Sequence, residues 1–301
     1  MGASGLVGGR LVAALSRDGA MRVRAGSRIA RPWPAGVEGI ITDSGASETL
    51  ASACEGVEVV VNLASMPEAA CAADPKGALL VNAGGAMTLV RAAMTAGVTR
   101  FVQLSTAKVY GNNPTGVITE ETITHPASHY AITHRIAEDY ATLHPDAVVM
   151  RLANGFGAPV AAGAQSWDII VNDFCRQAAT TGRIVIRSDG LAWRNFIALD
   201  DVIIALRAGL VGLPKGTYNI GARTSTTIRR MAERVAEGCE GTLGFRAHVC
   251  VGVSAETVGP VPLDYRTDRL RNAGVSLGDS SDGEIARTLL AARELFPRVF
   301  A

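Results

Sequence analysis

The sequence predicts an α/β fold, a doubly wound parallel sheet followed by a smaller C-terminal α/β region. Three observations carry that prediction. The chain opens on Gly2-Ala3-Ser4-Gly5-Leu6-Val7-Gly8, three glycines at three-residue spacing, and runs straight into the apolar, helix-forming stretch Gly9 to Leu15. Short apolar runs then alternate with helix-length stretches through roughly the first half of the chain, as parallel strands with crossover helices do. From residue 151 the composition loosens and arginines gather.

The glycine turn is read first. Gly2 allows a sharp turn, Gly5 lets backbone approach a pyrophosphate, and Gly8 lets the helix lie close to the sheet. The helix start, Leu6 and Val7, then offers free N–H groups and a partial positive charge to phosphate. Such a turn should follow a strand, and only Met1 precedes it. The expectation is that a few upstream residues are lacking. The rival explanations are a gap filled from another chain or a rearranged edge, and a degenerate protein with a damaged cofactor site.

Beyond the turn, residues 10–18 read as helix and Met21 to Arg28 as a short strand. The end of this strand decides the cofactor, because an acid there binds the ribose 2′-hydroxyl of NAD and an arginine accommodates the 2′-phosphate of NADP. Ser27-Arg28 stands there with no acid, which favours NADP. Ile40 to Thr42 form a further short strand ending in Asp43 and Ser44, and residues 46–55 a helix. Val57 to Asn62 is a continuous apolar strand, buried on both faces as parallel strands are. It opens into the loop Leu63-Ala64-Ser65, against which a flat cofactor can lie. Asp74-Pro75 starts a helix that passes Asn82 and ends near Ala96, and residues 101–106 form the next strand.

The chain has 301 residues and a net charge of +1, so it can bury one large or two modest domains and presents no basic run for nucleic acid. No uninterrupted apolar run approaches the roughly 20 residues of a membrane span, and no signal peptide opens the chain. A cytoplasmic location is expected, with no membrane partner. Cys54, Cys71, Cys175, Cys239 and Cys250 form no CxxC and read as buried thiols, and no HExxH appears, so no metal site is expected.

The chemistry lies where the strand ends in Ser105-Thr106-Ala107-Lys108-Val109-Tyr110-Gly111, and at Tyr130-Ala131-Ile132-Thr133-His134 entering a helix. With the glycine turn, Asp43, the Asn62 to Ser65 loop, Asp74-Pro75 and Asn82, Arg151 to Asn154, Arg194-Asn195-Phe196, Asp200-Asp201-Val202 and Tyr218 to Gly221, these stretches resemble the extended short-chain dehydrogenases/reductases. The likeness is to the NAD-dependent epimerase/dehydratase family, which acts on nucleotide sugars. It implies a Rossmann-type sheet, an NAD(P) cofactor and a homodimer, and the apolar faces of 82–96 and 131–143 suit a dimer interface and core equally. It also implies that Tyr130 is the general acid/base. Thr106, with Ser105, would hydrogen-bond the same substrate oxygen.

The family places a lysine four residues after this tyrosine, one helical turn along on the same face. Here His134 stands instead, so the fixed charge that favours the phenolate is absent. Three readings stay open: the enzyme tolerates the change, Lys108 reaches in, or the acid/base function is weakened or lost. Dehydratases of the family carry Asp-Glu after the threonine. Ala107-Lys108 occupies that place, which disfavours dehydration and leaves C4 epimerisation or keto reduction.

The expected division is residues 1–150 for the dinucleotide and 151–301 mainly for substrate, with a segment near 190–210 returning to the first part. Residues 167–180, 225–237 and 284–295 read as helices. By the resemblance, Asn154 and Arg194 meet the phosphates of a nucleotide sugar, and Arg187 is a further candidate because guanidinium forks suit pyrophosphate. The reading is an NAD(P)-dependent oxidoreductase or epimerase acting on a nucleotide sugar or similar compound. Its rivals are a non-catalytic dinucleotide-binding sensor and a reductase of a small carbonyl compound.

Overall fold

In the computed structural model, which describes residues 1–160, 166–253 and 261–297, the glycine turn leads directly into α1 (Leu6–Asp18), closed by Gly19 in the left-handed conformation. The chain continues through β1 (Val23–Ser27), β2 (Val37–Ile41), α2 (Ser47–Cys54), β3 (Val59–Asn62) and α3 (Glu68–Ala73). A long helical stretch follows, made of α4 (Pro75–Ala78), a π turn (Leu79–Gly84) and α5 (Gly85–Thr95). Asp74 caps it by accepting a hydrogen bond from the Gly77 N–H, with Pro75 at the first helical position. Next come β4 (Arg100–Thr106), a 3-10 turn (Ala107–Tyr110), β5 (Gly116–Ile118), α6 (His129–Ala141) and β6 (Ala147–Leu152).

The main sheet is parallel. β3 pairs with β4 and β4 with β6, in register Val59 to Arg100 and Phe101 to Ala147. Successive residues of the central strands face opposite sides. Val102, Val148 and Met150 pack with Leu11 of α1, whereas Phe101 and Val149 pack with Leu50 of α2 and Leu89 and Val90 of α5. Helices therefore cover both faces, as expected of a doubly wound sheet.

β1 and β2 form their own parallel pair. Residues 1–3 lie between it and β3. The Met1 amino group donates to the Val61 carbonyl at 2.8 Å, the Leu63 N–H to the Met1 carbonyl at 3.2 Å, and the Ala3 N–H to the Gly26 carbonyl at 3.1 Å. These three residues thus bridge the two sets of strands just before the glycine turn.

The stretch Pro75–Thr95 is long and apolar enough to cross a membrane by length and composition. Its Ala86, Leu89, Val90 and Ala93 are buried, Leu89, Val90 and Ala93 in the core beneath the sheet. The amphipathic pattern of a core helix accounts for it.

The second half consists of β7 (Asn154–Phe156), α7 (Ile170–Thr181), β8 (Arg183–Ile186), β9 (Trp193–Arg194), β10 (Phe196–Ala198), α8 (Leu199–Val211), β11 (Gly216–Ile220), β12 (Thr226–Thr227), α9 (Ile228–Leu243), β13 (His248–Val251), β14 (Leu263–Tyr265), α10 (Asp268–Asn272) and α11 (Ser281–Leu295). α7, α9 and α11 enclose a second core around Phe174, Ile184, Val235, Ile285 and Leu289. The chain returns to the first half over a longer span than residues 190–210. α8 packs beside α1, and β11 pairs with β6, so residues 216–220 complete the main sheet. β14 pairs with β5. β6 needs a partner on each edge to satisfy its backbone, and β11 supplies the outer one.

Charge locks the two halves together. Arg10 of α1 donates to both oxygens of the fully buried Glu284 of α11, at 3.1 and 2.8 Å. The Ala158 N–H and Arg287 donate to the same carboxylate at 3.0 and 2.8 Å. Asp200 at the start of α8 pairs with both arginines.

Candidate active site

The glycine turn is built for close contact. Gly2 has φ +73°, and a Cβ on it would lie 2.7 Å from the Ala64 nitrogen and the Leu63 carbonyl carbon. A Cβ on Gly8 would lie 2.2 Å from the Gly2 oxygen, so this glycine lets α1 rest on the turn. Gly5 is different, since its Cβ would meet only the Gly2 oxygen at 3.4 Å, and its φ of −74° suits any residue. It precedes Leu6 and Val7, and no side chain caps the start of α1. The first N–H groups there remain for an anion.

Ser27 ends β1 with its hydroxyl donated to the Ile29 carbonyl at 2.7 Å. Arg28 beside it is exposed and forms no ion pair among the described residues, whereas Arg24 pairs with Glu38. Asp43 is exposed, and its carboxylate accepts the Gly45 N–H at 2.9 Å. That turn sets Ser44 against Gly85, where a Cβ would come within 2.7 Å of the Ser44 Cβ.

The Leu63-Ala64-Ser65 loop passes over Gly2. Asn62 orders it by accepting the Ala64 N–H at 3.2 Å. Asn82 is buried in the π turn, with its carbonyl accepting the Met66 N–H at 2.8 Å and its amide donating to Thr133 Oγ1 at 2.9 Å. Its polar atoms thus tie this loop to α6.

α6 begins at Ser128, whose Oγ accepts the Ala131 N–H, and this cap sets Tyr130 and His134 one turn apart. Their rings are in contact, with centroids 4.3 Å apart and a tilt of 56°. Thr106, at the end of β4, is near enough to the Tyr130 phenol to counter part of the rise in its pKa. Burial pushes the phenol up to about 12, the Glu68 carboxylate adds to the rise, and Thr106 opposes it. Burial lowers the His134 imidazole to about 4. Both of its ring nitrogens are buried without a hydrogen-bond partner. His134 is therefore a neutral ring with an unused donor and acceptor beside the phenol.

Ser105 does not join this group. Its hydroxyl donates to the buried Glu138 carboxylate at 2.5 Å. Alternation along β4 turns it away from Thr106. Glu138 also accepts Arg151 Nε and Nη2 at 3.0 and 2.8 Å. Arg151 Nη1 donates to Tyr110 at 2.9 Å, and Tyr110 and Tyr265 donate to Asn219 Oδ1 at 2.8 and 3.0 Å. Much of the Val-Tyr-Gly, Arg151 and Tyr-Asn-Ile-Gly signature thus knits β4, β6 and β11 together.

One charged residue near Tyr130, Glu68, was not among the sequence candidates. Glu68 opens α3 and pairs with Lys108, the second residue of the 3-10 turn. The Lys108 N–H donates to Thr106 Oγ1 at 3.2 Å. Nothing local marks Glu68, because only the fold brings α3 to the end of β4.

On the other side of the site, the Asn154 amide donates to the Asn195 carbonyl at 3.0 Å. The half-buried Arg194 donates to the Trp193 carbonyl at 2.8 Å and to Asn113 at 2.6 Å, with no carboxylate partner among the described residues. Burial without such a partner lowers its pKa. Arg187 is exposed just past β8. His125 and His129 stand four residues apart, but no group of three metal-ligand side chains gathers among the described residues.

A model of the NAD dependent epimerase/dehydratase family matches residues 1–221. A low-salt glycan biosynthesis protein of Haloferax volcanii is 28% identical over 170 residues, 54% of this chain and 52% of the relative. A dTDP-D-glucose 4,6-dehydratase of Mus musculus is 28% identical over 198 residues, 64% and 51% of the two chains. These matches span about half the length of those relatives. Among solved structures, UDP-glucose 4-epimerase of Thermus thermophilus in complex with NAD superposes with a TM-score of 0.80 at 22% identity, covering 97% of each chain.

Proposed function

The chain belongs to that epimerase/dehydratase family, and on this premise we propose that it binds a nicotinamide dinucleotide along the C-terminal ends of its parallel strands and acts on a nucleotide sugar. C4 epimerisation or keto reduction is the reaction proposed, with Ala107-Lys108 arguing against dehydration. The observation that carries the reading is the Tyr130 ring packed 4.3 Å from the ring of His134, whose buried nitrogens have no hydrogen-bond partner.

The residues fit the cofactor. The Gly2 to Gly8 turn and the uncapped start of α1 would hold its pyrophosphate, with Leu6 and Val7 supplying N–H groups. Asp43, Ser44 and the Leu63 to Ser65 loop would line its nucleoside side, with Asn82 steadying that loop. Arg28, with no carboxylate partner among the described residues, favours a 2′-phosphate and so NADP. His134 would use its orphaned ring nitrogens on the nicotinamide ribose. When bound, the dinucleotide supplies hydride acceptance and donation at the carbon under attack.

The chain's own contribution is proton handling. Tyr130 gives a proton to, or takes one from, the substrate oxygen, and Thr106 orients that oxygen. Arg194, with Arg187 and Asn154, would meet the diphosphate of the sugar nucleotide. The exposed Leu80, Met94, Ile132 and Leu143 on the α5 and α6 side would form the proposed homodimer face. A cytoplasmic location goes with this reading.

The high proton affinity of Tyr130 and the uncharged His134 favour a second reading, dinucleotide binding without turnover. Titration with NADPH and NADH, followed by cofactor fluorescence, separates the two when combined with a sugar-nucleotide turnover assay. Micromolar binding with turnover supports the first reading. Binding without turnover supports the second, and failure to bind either cofactor refutes both.

A further inference from the structure

Arg194 is a half-buried cation held by neutral partners. Arg10, Arg100 and Arg151 are also partly or wholly buried, and each meets a carboxylate. Arg194 meets two uncharged oxygens instead. Its Nη1 donates to the Trp193 carbonyl at 2.8 Å, and its Nη2 donates to Asn113 Oδ1 at 2.6 Å. The Asn113 contact joins the two halves of the chain, across 81 positions.

The surroundings fix where that contact lies. The backbone of Arg194 is held by the antiparallel pairing of β9 with β12, where it stands opposite Thr226. The neighbouring Trp193 packs against the small core that contains Val109 and Tyr110 of the 3-10 turn. Thr106 caps that turn, and Asn113 lies in the exposed loop between the turn and β5. Pro114 follows Asn113 and narrows its backbone choices. The Arg194 side chain thus reaches from the second half to the loop that leaves the Thr106 end of β4.

The chemistry of the partners matters. The two contacts use two N–H groups of the guanidinium fork and leave the others for a further acceptor. An amide oxygen orients the fork without neutralising it. A carboxylate in the same place would form an ion pair, which an incoming anion would have to break.

We propose that Asn113 is a positioning residue that aims the Arg194 fork at a nucleoside diphosphate, and that its lack of charge keeps the Arg194 charge available to that anion. The inference rests on the reading of Arg194 as a diphosphate ligand, and its test keeps the two claims apart.

The test is calorimetric titration of the full chain with UDP and with dTDP, NADPH being present, together with urea denaturation of each variant. Asn113→Ala should weaken nucleotide binding about fivefold, the scale of one hydrogen bond. Asn113→Asp keeps the shape and the acceptor and adds a charge. It should weaken binding at least about tenfold, because the diphosphate then meets a like charge and a neutralised fork. Its stability in urea should stay level or rise slightly, since the new ion pair is partly exposed. A contact that merely ties the two halves would behave otherwise, with stability kept and affinity unchanged. In an Arg194→Ala background, Asn113→Asp should alter affinity less than about twofold, because the two residues act through one contact. Parent-like affinity in Asn113→Asp overturns the inference, and so does an equal loss with and without Arg194. An Arg194→Ala protein that binds both nucleotides as the parent does, or a parent that binds neither, would overturn the reading of Arg194 beneath it.

Discussion

Alanine at each of the three glycines of the opening turn separates folding from binding. Gly8→Ala places a methyl group 2.2 Å from the Gly2 oxygen and 2.8 Å from the Ala3 Cα. Those are backbone atoms, so α1 must retreat by about 1 Å to restore van der Waals contact. Overpacking of this kind costs about 3 kcal/mol. Gly2→Ala adds a left-handed φ of +73° to contacts of 2.7 Å with backbone, and should be at least as damaging. Gly5→Ala is the discriminating change. Its methyl group meets the Gly2 oxygen at an ordinary 3.4 Å in an extended conformation open to any residue. Stability should fall by no more than about 1 kcal/mol, the scale of an N-cap change. The same methyl group stands where a pyrophosphate must approach backbone, so NADPH affinity should fall at least about tenfold, or 1.4 kcal/mol. Urea denaturation and fluorescence titration measure the two quantities independently. A Gly8→Ala protein as stable as the parent would refute the packing argument. Unchanged NADPH binding by Gly5→Ala would show that the start of α1 is not where the dinucleotide lies.

Three further outcomes are expected. Glu284→Ala leaves Arg10 partly buried without its main partner and should cost about 3–5 kcal/mol in urea denaturation; a loss below about 1 kcal/mol would mean that the clasp does not hold the two halves. The imidazole of His134 falls from its ordinary value of 6.5 to about 4 on folding, so between these values the unfolded chain binds the extra proton. Stability should therefore drop as pH falls from about 6.5 to 4, by roughly 3 kcal/mol at most, and His134→Gln should flatten that slope. An identical slope in the variant would assign it to other groups. Arg194→Ala should raise KM for a sugar nucleotide about tenfold or more while changing kcat less, as loss of uniform binding does; an unchanged KM would remove Arg194 from the substrate site.

Most of the site's outline was legible because it depends on local chemistry. The glycine spacing, the strand ending at Thr106 and the Tyr130–His134 turn are set by residues near one another in sequence, and the structure brings all three to one end of the sheet. The signature residues were harder to sort. Arg151, Tyr110 and Asn219 stand in the same motifs as the candidate catalytic groups, yet their polar atoms are consumed in a buried network. Ser105 was expected beside Thr106 at the phenol and instead serves Glu138. A one-residue step along a strand turns a side chain to the other face, and sequence proximity conceals that.

The sequence by itself determined the α/β class, most of the order of strands and helices through residue 106, and the substitution of His134 for a fixed charge. Each follows from periodicity, turn chemistry or the identity of a single residue. Only the tertiary structure decided what surrounds those residues. It paired Glu68 with Lys108 across 40 positions, buried His134 until its ring is neutral, and brought β11 back to complete the main sheet. The physical reason is that charge and proton affinity depend on distance and on the exclusion of water, and both are set by contacts between segments remote in the chain.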